Sequence, residues 1–381
     1  MIYLDNNATT PVVPEVFDAM RPFLDAHYGN PSSAYSFGQE AKRAIEDARA
    51  QVAELVGASS PEEIVFTSGG TESDNWSILG SLKLNPERRH IITTKVEHEA
   101  VRKLCAKLEA GGYRVTWLEV DGEGLLDLNQ LRDSITAETA IVSVMMANNE
   151  TGIMFPVSEI AAIVKEKSDA LFHVDGVNAT GKIPVNLKNT LIDLFSLSAH
   201  KFHGPKGVGA LYIRKGVELP SIQIGGGQER SRRAGTEAVH QIAGLGTAAK
   251  FVNEFDSAKR IASLRDKLEN SIMKTISNAT VNGTRDADKR LPNTSNISFE
   301  NTNGEMILSR LDDLGICVST GSACNSADHS ASPVLQAMNI PYSKAMGSIR
   351  FSLSRLNHEE EIDRVIKNLP KILADLRAIA G

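Results

Sequence analysis

Lys201 sits in Ser198-Ala199-His200-Lys201-Phe202-His203-Gly204-Pro205-Lys206-Gly207, directly after an apolar run that reads as a strand. Flanked by Ser, His and an aromatic residue at a strand's carboxyl end, its amine is open to partial desolvation, which lowers an amine's pKa and suits it to Schiff-base chemistry. A surface lysine beside a Gly-Pro turn carries the same signature. Asp175 ends Leu171-Phe172-His173-Val174. A carboxylate there either caps a helix or pairs with a pyridinium nitrogen, the way proteins tune pyridoxal phosphate. The interval from Asp175 to Lys201 has room for a crossover and one further strand, so both side chains can face one crevice. Thr67-Ser68-Gly69-Gly70-Thr71-Glu72-Ser73 is a glycine turn running from a strand into a helix. Such a turn lets the backbone approach an anion, and the new helix offers phosphate its amides and dipole; a plain tight turn fits the same residues. Three cysteines complete the chemistry. Cys324, among the small polar residues of Ser319-Thr320-Gly321-Ser322-Ala323-Cys324-Asn325-Ser326, predicts a reachable thiol on a mobile loop. Cys105 predicts a structural helix thiol and Cys317 a buried strand thiol. Their number and spacing fit neither a disulfide framework nor a CxxC metal site.

These residues need a scaffold. Ile64–Thr67, His90–Thr94, Ile141–Met145, Leu171–Val174 and Leu194–Leu197 read as strands, with Val157, Ile160, Ala161 and Val164 at helical spacing between the third and fourth. Strand–helix alternation predicts a largely parallel sheet covered on both faces, with ligands at the carboxyl ends of its strands. After about residue 250 the pattern changes to a long helix through Ile261, Leu264, Leu268, Ile272 and Ile276, then a strand over Thr294–Phe299. A last helix is expected to open on a capping box of Asn357 and Glu360, with Pro370 kinking it or starting a new one. This part predicts a smaller α+β lobe.

Composition narrows the class. The 381 residues, 41% hydrophobic and 23% charged, are those of an ordinary globular protein. A net charge of −6 does not suit phosphate-backbone binding, so no nucleic-acid partner is expected. With no apolar run long enough to span a bilayer and no signal-peptide pattern at the N-terminus, the expectation is a cytoplasmic protein with no membrane partner.

In this order, with Val96-Glu97-His98 and Ala147-Asn148-Asn149-Glu150 between them, the segments resemble the NifS/IscS-type cysteine desulfurases. These belong to the class V aminotransferase branch of fold-type I pyridoxal-phosphate enzymes. The likeness runs from Leu4-Asp5-Asn6-Asn7-Ala8-Thr9-Thr10-Pro11 through Gly29-Asn30-Pro31-Ser32-Ser33 and Gly225-Gly226-Gly227-Gln228-Glu229 to Ile349-Arg350-Phe351-Ser352-Leu353. The resemblance implies an α/β fold-type I transferase. Its large domain, over 12–255, would hold a mainly parallel seven-stranded sheet, and a smaller α+β domain, from 1–11 and 256–381, would carry the cysteine loop. It implies pyridoxal 5'-phosphate as cofactor, with Lys201 as its Schiff-base lysine, Asp175 on the pyridinium nitrogen and His98 stacked on the ring. Asn149 and Asn178 would lie near the phenolic oxygen. Gly70, Thr71, Ser198 and His200 would hold the phosphate, joined by Thr236 from the second subunit of a homodimer. Arg350 would bind the substrate carboxylate, with Asn149 beside it. Lys201, Cys324 and His98 would be catalytic, converting L-cysteine to L-alanine with sulfur stored on Cys324 as a persulfide. A sulfur acceptor or iron–sulfur scaffold protein is the implied partner. The family usually has Gln where this chain has Asn178, and Arg-Ser-Gly-Thr where it has Arg233-Ala234-Gly235-Thr236. Aminotransferase and selenocysteine lyase activities fit the same scaffold, and so does a docking protein that has lost catalysis. Cys324 in its loop favours the desulfurase, and the intact Lys201, Asp175, His98 and Arg350 speak against the docking protein.

Overall fold

The computed structural model describes residues 1–320 and 331–380. Cys324 therefore lies outside the described residues. A seven-stranded sheet forms the centre, built from β2 (Ile64–Thr67), β3 (His90–Thr94), β4 (Arg114–Leu118), β5 (Thr139–Met145), β6 (Leu171–Asp175), β7 (Leu194–Ser198) and β8 (Gly209–Ile213), after the short N-terminal β1 (Ile2–Tyr3). The spatial order is β2-β8-β7-β6-β5-β3-β4. Only β8 runs against its neighbours; the other adjacent pairs are parallel. Strands β5, β6 and β7 are buried along their whole length, as their near-continuous apolar runs require in a sheet covered on both faces.

All five expected central strands are present, and three extend beyond the apolar run: β5 begins at Thr139, β6 ends on Asp175 and β7 ends on Ser198. Two strands were not expected. β4 lies at the sheet edge, where half-exposed residues leave no clear apolar run, and β8 opens on Gly209-Ala210, which carries little β signal.

A separate apolar cluster gathers Ile2 and Leu4, the face Ile261, Leu264, Leu268 and Ile272 of the helix Ser257–Thr275, and the antiparallel strands β9 (Ala279–Val281), β10 (Thr294–Phe299) and β12 (Ser348–Ser352). β1 pairs in parallel with β11 (Ile316–Cys317), tying the N-terminal segment to this lobe. Cys105 is buried in the helix Glu99–Ala110, and burial pushes its thiol up to about 12, as expected of a structural cysteine. Cys317 is half-buried rather than enclosed, because its two-residue strand has only β1 as partner. The final helix, Glu359–Ala380, also departs from expectation. It starts one residue later, with Glu361 accepting from the His358 N–H. It also continues past Pro370 as one element rather than starting a new one there, its face of Ile362, Val365, Leu369 and Leu373 packed in the core on both sides of the proline.

Candidate active site

The parallel strands end on one side of the sheet, and their carboxyl ends surround a cavity of about 1160 Å³ including its open mouth. Strands β2, β3, β5, β6 and β7 contribute through the residues that follow or end them. β2 leads through Gly69, at φ 149°, into the helix Gly70–Leu84, and Gly70 and Thr71 line the cavity. The first turn of that helix also carries Glu72, whose charge would oppose an anion. Glu72 is instead held by Arg233 at 2.9 Å and by the Ser68 N–H, which together keep its carboxyl below its ordinary value against the opposing effect of burial. Ser198 ends β7, and His200 and Lys201 follow in a single turn. His200 is neutral: burial, with Lys201 and Lys206 nearby, brings it down to about 4. This part of the cavity is thus lined by the helix start at Gly70 and Thr71, the Ser198 hydroxyl and the His200 imidazole.

Asp175 lines the same cavity. Its Oδ1 accepts from the Val177 N–H at 2.9 Å, while burial, reinforced by Asp74, pushes the carboxyl up to about 6. A carboxylate in this setting gains from a cationic partner. Lys201 Nζ donates to the backbone carbonyls of Asn7 at 2.5 Å and Ala8 at 3.0 Å, so the amine is held over the cavity by the N-terminal segment. His98 caps the helix Glu99–Ala110, its Nδ1 accepting from the Ala100 N–H at 3.2 Å. Enclosure, partly offset by Asp175, holds the imidazole below its ordinary value. The neutral ring with Nδ1 as acceptor carries its hydrogen on Nε2.

The second lobe supplies the remaining wall. Arg350, in β12 and 6% exposed, pairs with Asp5 at 2.6 Å and donates to the Asn149 carbonyl at 3.1 Å. Its Nε is buried without a hydrogen-bond partner, as is Asp74 Oδ1. A guanidinium in a cavity wall is a place for a ligand carboxylate. Ser319 and Thr320 reach the same cavity; in the sequence Cys324 follows four positions later.

The cavity therefore brings together Gly70, Thr71, His98, Asn149, Asp175, Asn178, Ser198, His200, Lys201 and Arg350. Thr236 lines a separate cleft with Thr67, Ser68 and Arg233. The donor set fits a phosphorylated pyridine aldehyde: helix amides and hydroxyls for the phosphate, a buried acid for the ring nitrogen, an amine for the aldehyde.

Five cavity or near-cavity groups were not singled out from sequence: Asp5, Asn7, Asp74, Glu150 and Lys182. Burial pushes both Asp74 and Glu150 up to about 7. Glu150 accepts from Ser332 Oγ at 2.5 Å. The signal for Asp5 and Asn7 is the polar run Asp5-Asn6-Asn7 directly after an apolar strand, and Asp74 sits on the cavity-facing side of the helix that Gly70 begins.

Known proteins resemble this chain over nearly its whole length. The family model for class-V aminotransferases matches residues 2–365. A cysteine desulfurase of Trichormus azollae is 52% identical over 382 residues, covering 100% of this chain and 94% of the relative. The cysteine desulfurase NifS of Azotobacter vinelandii is 50% identical over 381 residues, with coverage of 100% and 94%. A solved NifS-like protein superposes with a TM-score of 0.92 at 41% identity, over 98% of this chain and 100% of that one.

Proposed function

We propose a division of labour for the cavity in a chain that belongs to the class-V aminotransferase family and is a cysteine desulfurase. The enzyme converts L-cysteine to L-alanine, and we assign the sulfur to Cys324 as a persulfide. The observation that carries the assignment is the meeting of Lys201, Asp175, the Gly70 helix start and Arg350 in one cavity.

Pyridoxal phosphate bound here supplies an electron sink for the bond-breaking at the amino acid's Cα. Gly70, Thr71, Ser198 and His200 would hold its phosphate, Asp175 its ring nitrogen, and His98 its ring. Arg350 takes the substrate carboxylate while its Nη2 stays on Asp5, which fixes Cα near Lys201. Lys201 Nζ, resting on the Asn7 and Ala8 carbonyls, is the base that removes the Cα proton. With Nδ1 engaged as a helix cap, His98 presents Nε2–H as a donor to the substrate; taking up a proton requires Nδ1 to leave Ala100. The Cys324 thiolate attacks the substrate sulfur, the S–Cβ bond breaks with its electron pair going to Cβ, and a proton delivered to Cβ together with the return of one from Lys201 to Cα completes alanine. No oxidant is needed, since L-cysteine plus a thiol gives alanine plus a persulfide.

A sulfur acceptor, with an iron–sulfur scaffold as the candidate class, then draws the sulfur from Cys324 in the cytoplasm. The protein works as a homodimer in which Thr236 completes the partner's phosphate site. Exposed Phe17, Leu24, Tyr28 and Ile224 are apolar surface that a second subunit would cover. The test is Lys201→Ala. It should abolish the visible absorbance of the bound cofactor and alanine formation while the fold persists; retention of both would overturn the assignment.

A further inference from the structure

We propose that Lys182 is a positioning residue that sets the polarity of Asn178 and the seat of Lys201. The inference rests on the pyridoxal-phosphate reading of the cavity. Lys182 does not line the cavity itself. Its Nζ lies behind the wall, 2.7 Å from Asn178 Oδ1 and 2.7 Å from Asn7 Oδ1. Both acceptors belong to residues that do line it. On the other side of its amide, Asn178 donates from Nδ2 to the Asn148 carbonyl at 3.1 Å. Asn178 is 5% exposed, so this pair of contacts fixes which end of the amide is oxygen and which is nitrogen. With the oxygen turned back to Lys182 and one N–H on Asn148, the second N–H is the amide's remaining polar group. A donor is what an oxyanion of the bound ligand requires.

The same amine braces Asn7, whose backbone carbonyl receives Lys201 Nζ at 2.5 Å. Asn7 is held further by its Nδ2, which donates to the Asn149 carbonyl and to Thr294 Oγ1, so Lys182 ties the loop after β6 to the segment that seats the catalytic lysine. Burial, with Lys201 and Arg350 adding repulsion, keeps the Lys182 amine well below its ordinary value. Protonated or neutral, the amine has the two N–H donors that the two amide oxygens call for. This arrangement also accommodates Asn in place of the family's usual Gln: the shorter side chain is held from behind.

The test uses the holoenzyme without L-cysteine, reading the pH midpoint of the cofactor's visible band. A donor aimed at the ligand's oxyanion favours the deprotonated form, so loss of a correctly turned Asn178 raises the midpoint. Lys182→Met should keep the cofactor, raise the midpoint by about one unit, and lower kcat by ~tenfold with a smaller change in KM. In an Asn178→Leu background the same substitution should move the midpoint little further. Should Lys182→Met fail to fold, Lys182→Gln, too short to reach both oxygens, should move the midpoint in the same direction. A parental band with an unmoved midpoint in the folded Lys182 variant, or equal shifts in both backgrounds, overturns the role of Lys182 alone. Absence of any band in the parent overturns the cofactor reading and this inference with it.

Discussion

Arg350 already holds one carboxylate, Asp5, at 2.6 Å, and must hold a second when substrate arrives. Only a planar cation with several fixed donors does both, so Arg350→Lys, which keeps the charge, should still raise KM for L-cysteine by roughly 10- to 100-fold, the worth of one hydrogen bond to a charged group. Steady-state kinetics checks this; an unchanged KM would place the substrate carboxylate elsewhere. At this scale the sequence is informative where a residue type is rare in its setting. Lys201 after a strand, Asp175 at a strand end and the Gly69-Gly70 turn are visible as candidates, though each alone also fits a bland surface feature. What separates the readings is convergence, which one-dimensional spacing does not contain. Arg350 and His98 entered through family resemblance, and Asp5, Asp74 and Glu150 stayed hidden because acidic residues are common and their burial is a property of the folded chain.

The helix Gly70–Leu84 is the element on which the proposed cofactor binding turns. A Cβ on Gly70 would lie 2.6 Å from Val177 Cγ2, two residues beyond Asp175. Gly70→Ala should therefore push the helix start away from the Asp175 loop and weaken cofactor retention by about tenfold, and Val177→Ala in the same chain should restore part of it. Equilibrium dialysis against pyridoxal phosphate measures both; equal loss with and without the Val177 change would contradict the steric account. Elements with strong burial were the readable ones. β5, β6 and β7 are near-continuous apolar runs, and the helix Ser257–Thr275 has a regular apolar face. The edge strand β4 and the antiparallel β8 are set by their neighbours in the sheet rather than by their own residues, and Pro370 is carried through its helix by tertiary packing.

Across the whole molecule, burial of acids near the cavity ties stability to pH. Asp74 moves from 3.8 to about 7, so between those values the folded chain holds a proton that the unfolded chain has lost. Stability from this group is complete below pH 4 and falls as pH rises through about 7. Between pH 5 and pH 8 the parental apoprotein should lose ~2–3 kcal/mol more stability than Asp74→Asn, as read by urea denaturation; parallel curves would show that Asp74 is ionised in the fold. Subunit sharing is tested by mixing a Lys201→Ala chain with a Thr236→Ala chain. Heterodimers should recover part of the activity, because one of their two sites has both residues intact, and an active monomer in sedimentation would exclude the shared site. The central claim is that sulfur leaves L-cysteine for Cys324 as alanine forms. Mass spectrometry of the protein after brief exposure to L-cysteine, with alanine counted in parallel, tests it most directly. One added sulfur on the Cys324 peptide per alanine released is the predicted result, with neither in Lys201→Ala. Sulfur on Cys105 or Cys317 instead, or alanine released at the full rate by Cys324→Ala, would contradict it.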